Sequence, residues 1–184
     1  MTHTRALRHT LSIAAFVLMS MAIPLSLSLC GCAASQPILL ESPVFERART
    51  MLNNGQAECV LLRDGNIIAV ERGHGVSPLM KLSEREHNSF RGCTIVDKVI
   101  GRAAAFIAID GGAAHVHGEV MSEDAQALLE RHGITTSCTL KVHRILNQTR
   151  DGLCPLEQSV LGHEDTSEAL QALRKRIEEL TSNK

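Results

Sequence analysis

A chain of 184 residues, 44% hydrophobic and 21% charged, has the composition of a globular domain and not of a disordered or fibrous one. Its formal net charge of −1 becomes −3 once the first 31 residues are set aside, because Arg5 and Arg8 leave with that segment and no acid does. With no Trp, no Tyr and four Phe, the chain has neither the charge to sit on phosphates nor the rings on which bases and sugars stack. Nucleic-acid and carbohydrate binding are disfavoured.

Residues 11–29, LSIAAFVLMSMAIPLSLSL, form an uncharged, mostly apolar run between an arginine-bearing start and a small-residue segment, the order of an export signal. The run is also long enough to approach a bilayer span, although Pro24 and four serines make a permanent anchor uncomfortable. Leu29-Cys30-Gly31-Cys32 resembles the lipobox of bacterial lipoproteins, and Cys32 fits it better than Cys30, which follows the bulky Leu29. The expected organisation is a signal over 1–31, a tether over 32–43 and a folded domain over 44–184, exported and held to a membrane by lipid on Cys32. A misassigned start, with Met19, Met21 and Met51 downstream, would instead leave the protein cytoplasmic.

Val44, Ala48, Met51 and Leu52 recur at helical spacing and predict a helix that stops at Asn54-Gly55. Two β-rich runs, Glu58 to Arg63 and Asn66 to Glu71, flank Asp64-Gly65, a strong hairpin signal. Ser77-Pro78 predicts a cap and a helix to about Glu86. Strand and helix then alternate. A strand is expected over Cys93–Val96, a buried Ala-rich helix over Val99–Ile109 and a strand over Val116–Met121. A helix capped by Ser122 and ended by Gly133 follows, then a strand over Ile134–Val142. After a loop, Pro155 opens a short helix, and Leu170, Leu173, Ile177 and Leu180 define an amphipathic helix over Ser167–Thr181. The fold class is α/β: a three-layer α/β/α sandwich on a mixed sheet of about five strands.

In such sheets ligands bind beyond the carboxyl ends of the parallel strands. Asp97 and Lys98, placed there between strand and helix, offer a helix N-terminus and a point charge to an anion, unless Asp97 is merely a cap. Cys154 precedes Pro155 next to a helix start, where a thiol gains reactivity, whereas Cys59, Cys93 and Cys138 read as apolar fillers of strands. If the domain is exported, these four cysteines allow three complete pairings. His115, His117 and Glu119 share a strand face, but this is a weak chelation pattern and no metal is assigned. His117-Gly118-Glu119 matches the H-x-E string of zinc deaminases, yet it stands on a strand, and the P-C-x-x-C partner is missing.

The stretches Asp64-Gly65, Gly75 to Leu79, Val96 to Ala105, Glu119 to Ser122 and Asp151 to Glu157 together resemble an uncharacterised prokaryotic domain-of-unknown-function family. The fold of that family is similar to cytidine deaminase but lacks the zinc ligands. The resemblance implies a cytidine deaminase-like sandwich in which Ser77-Pro78 and Asp97-Lys98 occupy the helix starts that would carry zinc. It also suggests that Asp97, Lys98, Glu119, Ser122, Asn147 and Cys154 line one pocket. The family members show no export signal, which sets this chain's first 31 residues apart.

The leading expectation is an exported or lipid-tethered domain that binds a small anionic or nucleotide-like ligand without zinc-dependent deamination and without a cofactor. A thiol-dependent enzyme using Cys154 with Lys98 or Asp97 is the first alternative. A structural domain assembling through its last helix is the second.

Overall fold

The computed structural model describes residues 42–85 and 89–182. The expected signal, tether and lipidation site, Cys32 included, lie outside the described residues. In chain order the elements are α1 (Pro43–Asn53), β1 (Cys59–Arg63), β2 (Asn66–Glu71), α2 (Ser77–Ser83), β3 (Thr94–Ile100) and α3 (Arg102–Asp110). They continue with β4 (His115–Ser122), α4 (Glu123–Arg131), β5 (Thr135–Val142), α5 (Pro155–Ser159) and α6 (Thr166–Ser182). The five strands lie in the order β2-β1-β3-β4-β5. β1 runs antiparallel to both β2 and β3, while β3, β4 and β5 are parallel.

Local chemistry accounts for most boundaries. Asp64 at φ 50° and Gly65 at φ 72° make the left-handed two-residue turn that matches strand twist, so β1 and β2 pair without splaying. The Ser42 hydroxyl accepts from the Phe45 amide and starts α1, and the Ser122 hydroxyl accepts from Ala125 and starts α4. The expected cap at Ser77 is not made: Ser77 is already the first residue of α2, Val76 precedes it, and no side chain caps that end.

The largest departure is at β3. The sequence places its end at Val96, but the strand continues to Ile100 and α3 starts only at Arg102. Asp97 and Lys98 therefore sit inside a strand and not at a helix start. A buried parallel strand and a buried helix both read as continuous apolar sequence, and Gly101 is the one break between them.

The sheet separates two cores. On one face α1 packs Phe45, Ala48 and Leu52 against Val60, Leu62 and Val96. On the other, α2 and α3, with α4, α5 and α6, bury Cys59, Leu61, Ile95, Ile100, Val116 and Met121. Helices thus lie on both faces, but unequally. α3 is buried nearly all round, from Ala103 to Ala108, because it lies between the sheet and its helical neighbours. Cys59, Cys93, Cys138 and Cys154 are free thiols. Among the described residues no helix is long and apolar enough to cross a membrane.

Candidate functional site

A cleft of about 110 Å³ opens beyond the carboxyl end of β3. Its walls come from four places: Glu58 before β1, Gly75 and Val76 at the start of α2, Asp97 to Val99 with Gly101 and Ala104, and Ile145 with Cys154, Leu156 and Glu157. Three of the sequence's six ligand candidates, Asp97, Lys98 and Cys154, meet here although up to 57 positions separate them.

Asp97 owes its direction to strand alternation. Ile95 faces the five-helix core and Val96 the α1 core, so Asp97 turns back toward the five-helix side, opposite Cys59 in the register with β1. It is 6% exposed. Burial pushes its carboxyl up to about 7, against the pull of hydrogen bonds from the Val99 amide, the Cys59 thiol and the Lys98 amide. The Val99 amide donates to Asp97 Oδ1 at 3.0 Å. The fully buried Cys59 thiol is in turn driven well above its ordinary value, first by burial and then by the charge of Asp97.

Lys98 is not a free cation. Its Nζ lies 2.7 Å from Glu58 Oε1, and both side chains are about one-third exposed (32% and 34%). The helix start is not free either. Glu157, 8% exposed, accepts from the Arg102 amide at 2.8 Å and the Ala103 amide at 3.0 Å, placing a carboxylate on the first turn of α3. Burial raises the Glu157 carboxyl, and the two amides with the Arg102 guanidinium oppose the rise. Gly101 makes this contact sterically feasible, because a Cβ there would lie 2.4 Å from Glu157 Oε1. Both features that the sequence offered to an anion are thus already used by carboxylates of the chain itself.

The remaining candidates lie elsewhere. Ser122 is a cap whose hydroxyl serves Ala125, and it borders an adjoining depression with Arg102, Asp124, Arg144 and Glu157. Glu119 is on the opposite face, because His115, His117 and Glu119 alternate onto the α1 side. There Arg49 Nε donates to Glu119 Oε1 at 2.8 Å and the Thr139 hydroxyl donates to Oε2 at 2.7 Å. Asn147 belongs to the loop after β5, where it donates to Asp151 Oδ1 at 2.7 Å, and it does not line the cleft. Among the cleft residues that were not ligand candidates from the sequence, Glu58, Gly101 and Glu157 decide its chemistry. Glu157 closes the Asp151 to Glu157 stretch, but nothing local signals that its partners are 54 and 55 positions away.

Zinc does not fit this cleft. The start of α2 supplies Ser77-Pro78, the start of α3 is filled by Glu157, and the lining contains one thiol and no imidazole. Among the described residues no group of three or more His, Cys, Asp or Glu is arranged to hold a metal ion. Cys154 is half-buried at the cleft, directly before the five-residue α5, and among the described residues no side chain hydrogen-bonds to its thiol.

The family model described as Domain of unknown function (DUF1893) matches residues 47–177. No curated protein matches. The crystal structure of a DUF1893 family protein from Thermotoga maritima superposes with a TM-score of 0.64 at 23% identity, covering 76% of this chain and 91% of that one. That likeness shows the fold. Two further structures overlap more weakly. One is RibD from Acinetobacter baumannii, with a TM-score of 0.38 and 13% identity over 50% of this chain and 33% of that one. The other is a diaminohydroxyphosphoribosylaminopyrimidine deaminase/5-amino-6-(5-phosphoribosylamino)uracil reductase from Thermotoga maritima. Its TM-score is 0.40 at 15% identity, over 65% of this chain and 40% of that one.

Proposed function

This chain belongs to the DUF1893 family, a domain of unknown function, and from that premise we propose that its cleft binds a small nucleotide-like ligand without zinc-dependent deamination. The observation that supports the reading most strongly is Asp97: a nearly buried carboxyl, poised near neutrality, facing a cleft whose apolar lining includes Val76, Ala104, Ile145 and Leu156. Such a carboxyl both donates and accepts as its proton comes and goes, which suits the paired nitrogens of an aminopyrimidine or amidine edge. The volume of about 110 Å³ approaches the roughly 150 Å³ of a cavity that accepts benzene, so one ring can enter and a sugar or phosphate would remain at the mouth.

Charge narrows the ligand class. Glu58, Asp97 and Glu157 face one ammonium, Lys98, which Glu58 already holds. A free anion is disfavoured here, and a neutral or cationic nitrogen base is favoured. A thiol reaction is the second reading, because Cys154 lines the same cleft as Asp97. The setting belongs to the proposal too: an exported domain tethered through lipid on Cys32, supported by the sequence of residues 1–35. Fatty-acid labelling that a Cys32→Ser variant abolishes would support the tether, and unmodified protein in the soluble cytoplasm would remove it.

Native mass spectrometry of the purified chain tests the cleft. The expected result is a retained nitrogen-base-sized mass that disappears in Asp97→Ala and survives in Cys154→Ser. Retention of phosphate alone would overturn the ligand class. A covalent adduct on Cys154 would favour the thiol reading instead.

A further inference from the structure

Among the described residues, the sheet face turned away from the cleft is covered by α1 alone, and what lies beneath α1 is polar as well as apolar. The Phe45 ring meets His117 edge-on with centroids 5.0 Å apart, and it stands 6.5 Å from the His115 ring. Ser137 Oγ lies between the two imidazoles, 3.0 Å from His115 Nε2 and 2.8 Å from His117 Nδ1. The other ring nitrogens, His115 Nδ1 and His117 Nε2, are buried and have no hydrogen-bond partner among the described residues. A neutral imidazole tolerates this, since one nitrogen carries no hydrogen. An imidazolium carries hydrogens on both nitrogens and a charge with them.

One carboxylate stands between α1 and this pair. Arg49 of α1 donates to Glu119 from Nε at 2.8 Å and from Nη2 at 3.3 Å, and to the Thr139 hydroxyl at 2.9 Å. Glu119 Oε1 is also 3.7 Å from His117 Nε2, the nitrogen that lacks a partner. A proton on His117 therefore creates a second cation competing for the carboxylate that holds α1, and this cation sits on the carboxylate's own strand. We propose that α1 is an acid-sensitive latch: proton uptake by His115 and His117 shifts Glu119 from Arg49 to His117 and releases α1 from the sheet.

The charged groups around the pair set the direction. From α1 come Glu46 and Arg49, and from β4 comes Glu119; β5 contributes the hydroxyls of Ser137 and Thr139. Burial, followed by the neighbouring His117, holds His115 down to about 4. Burial also lowers His117, with Glu119 opposing and Arg49 assisting. Burial works to raise Glu119, but Arg49 and Thr139 outweigh it and keep the carboxyl below its ordinary range. Arg49 and Thr139 thus favour the ionised form of Glu119, the form for which a charged His117 competes. Docking of α1 is complete above about pH 6.5, the ordinary histidine value, and is lost as pH falls toward about 4.

Amide hydrogen exchange of the full chain at about pH 7 and about pH 4.5, corrected for intrinsic rates, tests the latch. The expected result is that α1 protection falls at least about tenfold in acid while β3 and α3 keep theirs, and that the double variant His115→Gln/His117→Gln loses nothing. Unchanged α1 protection, loss only together with β3 and α3, or the same loss in the variant would overturn it. Should the variant not fold, NMR titration of the wild-type imidazoles decides: their midpoints must coincide with release of α1, and titration with α1 still docked refutes the proposal.

Discussion

Replacing Asp97 with Asn should make the protein more stable at neutral pH and hardly change it in acid. The reason is the proton that Asp97 keeps in the folded state. Its folded value is about 7, while an unfolded aspartate titrates near 3.9. Between those values the native chain binds a proton that the unfolded chain does not, so stability falls as pH rises through the window. Three units correspond to about 4 kcal/mol over the full window, an upper bound for a buried group. Between about pH 5 and about pH 7 the share is about 2 kcal/mol, with a slope near 1.4 kcal/mol per unit at first that halves as pH reaches the folded value. Asn is neutral throughout, and its carbonyl can still accept from the Val99 amide, so it removes the titration while keeping that turn. Urea unfolding of wild type and Asp97→Asn at half-unit steps gives the difference directly, and titrating groups distant from Asp97, His115 included, cancel in it. The difference should grow in favour of Asn from about pH 5 to about pH 7 and then level. A flat difference would refute the burial argument, and a difference growing toward acid would reverse its sign.

The link between Glu157 and α3 can be tested at both ends. Glu157→Ala should cost about 2–3 kcal/mol, because two amides of the first turn lose a charged acceptor inside the protein. Gly101→Ala should cost about 1–3 kcal/mol, since the new methyl meets the Glu157 carboxylate and must push it off those amides. Both values come from chemical unfolding. Strongly sub-additive losses in the double variant would confirm that the two positions report one contact, and full additivity would contradict it.

How legible the molecule was depends on where each residue finds its partners. Asp64-Gly65 and the Ser122 to Gly133 helix are specified by neighbours in sequence, and both appear as read. The end of β3 is not, because Lys98, Val99 and Ile100 continue into the Ala-rich run with Gly101 alone between strand and helix. That displacement moved Asp97 from a helix start into a strand and turned an apparent anion site into a buried acid. For Glu119, the alternation His115, His117, Glu119 was visible in the sequence, and it places the carboxylate on the α1 face, away from the cleft. Glu157 left no local trace, since its role is to cap a helix that begins 55 positions earlier. The convergence of Asp97, Lys98 and Cys154 followed from topology, because parallel strands bring their carboxyl ends to one rim.

Calorimetric titration of cytosine and adenine into the full chain at about pH 7 tests the central claim most directly. The account predicts saturable binding of at least one base, weakened about 10- to 100-fold in Asp97→Asn by loss of a charge-assisted hydrogen bond. Saturable binding that Asp97→Asn leaves unchanged, or heat from inorganic phosphate and none from either base, would contradict it.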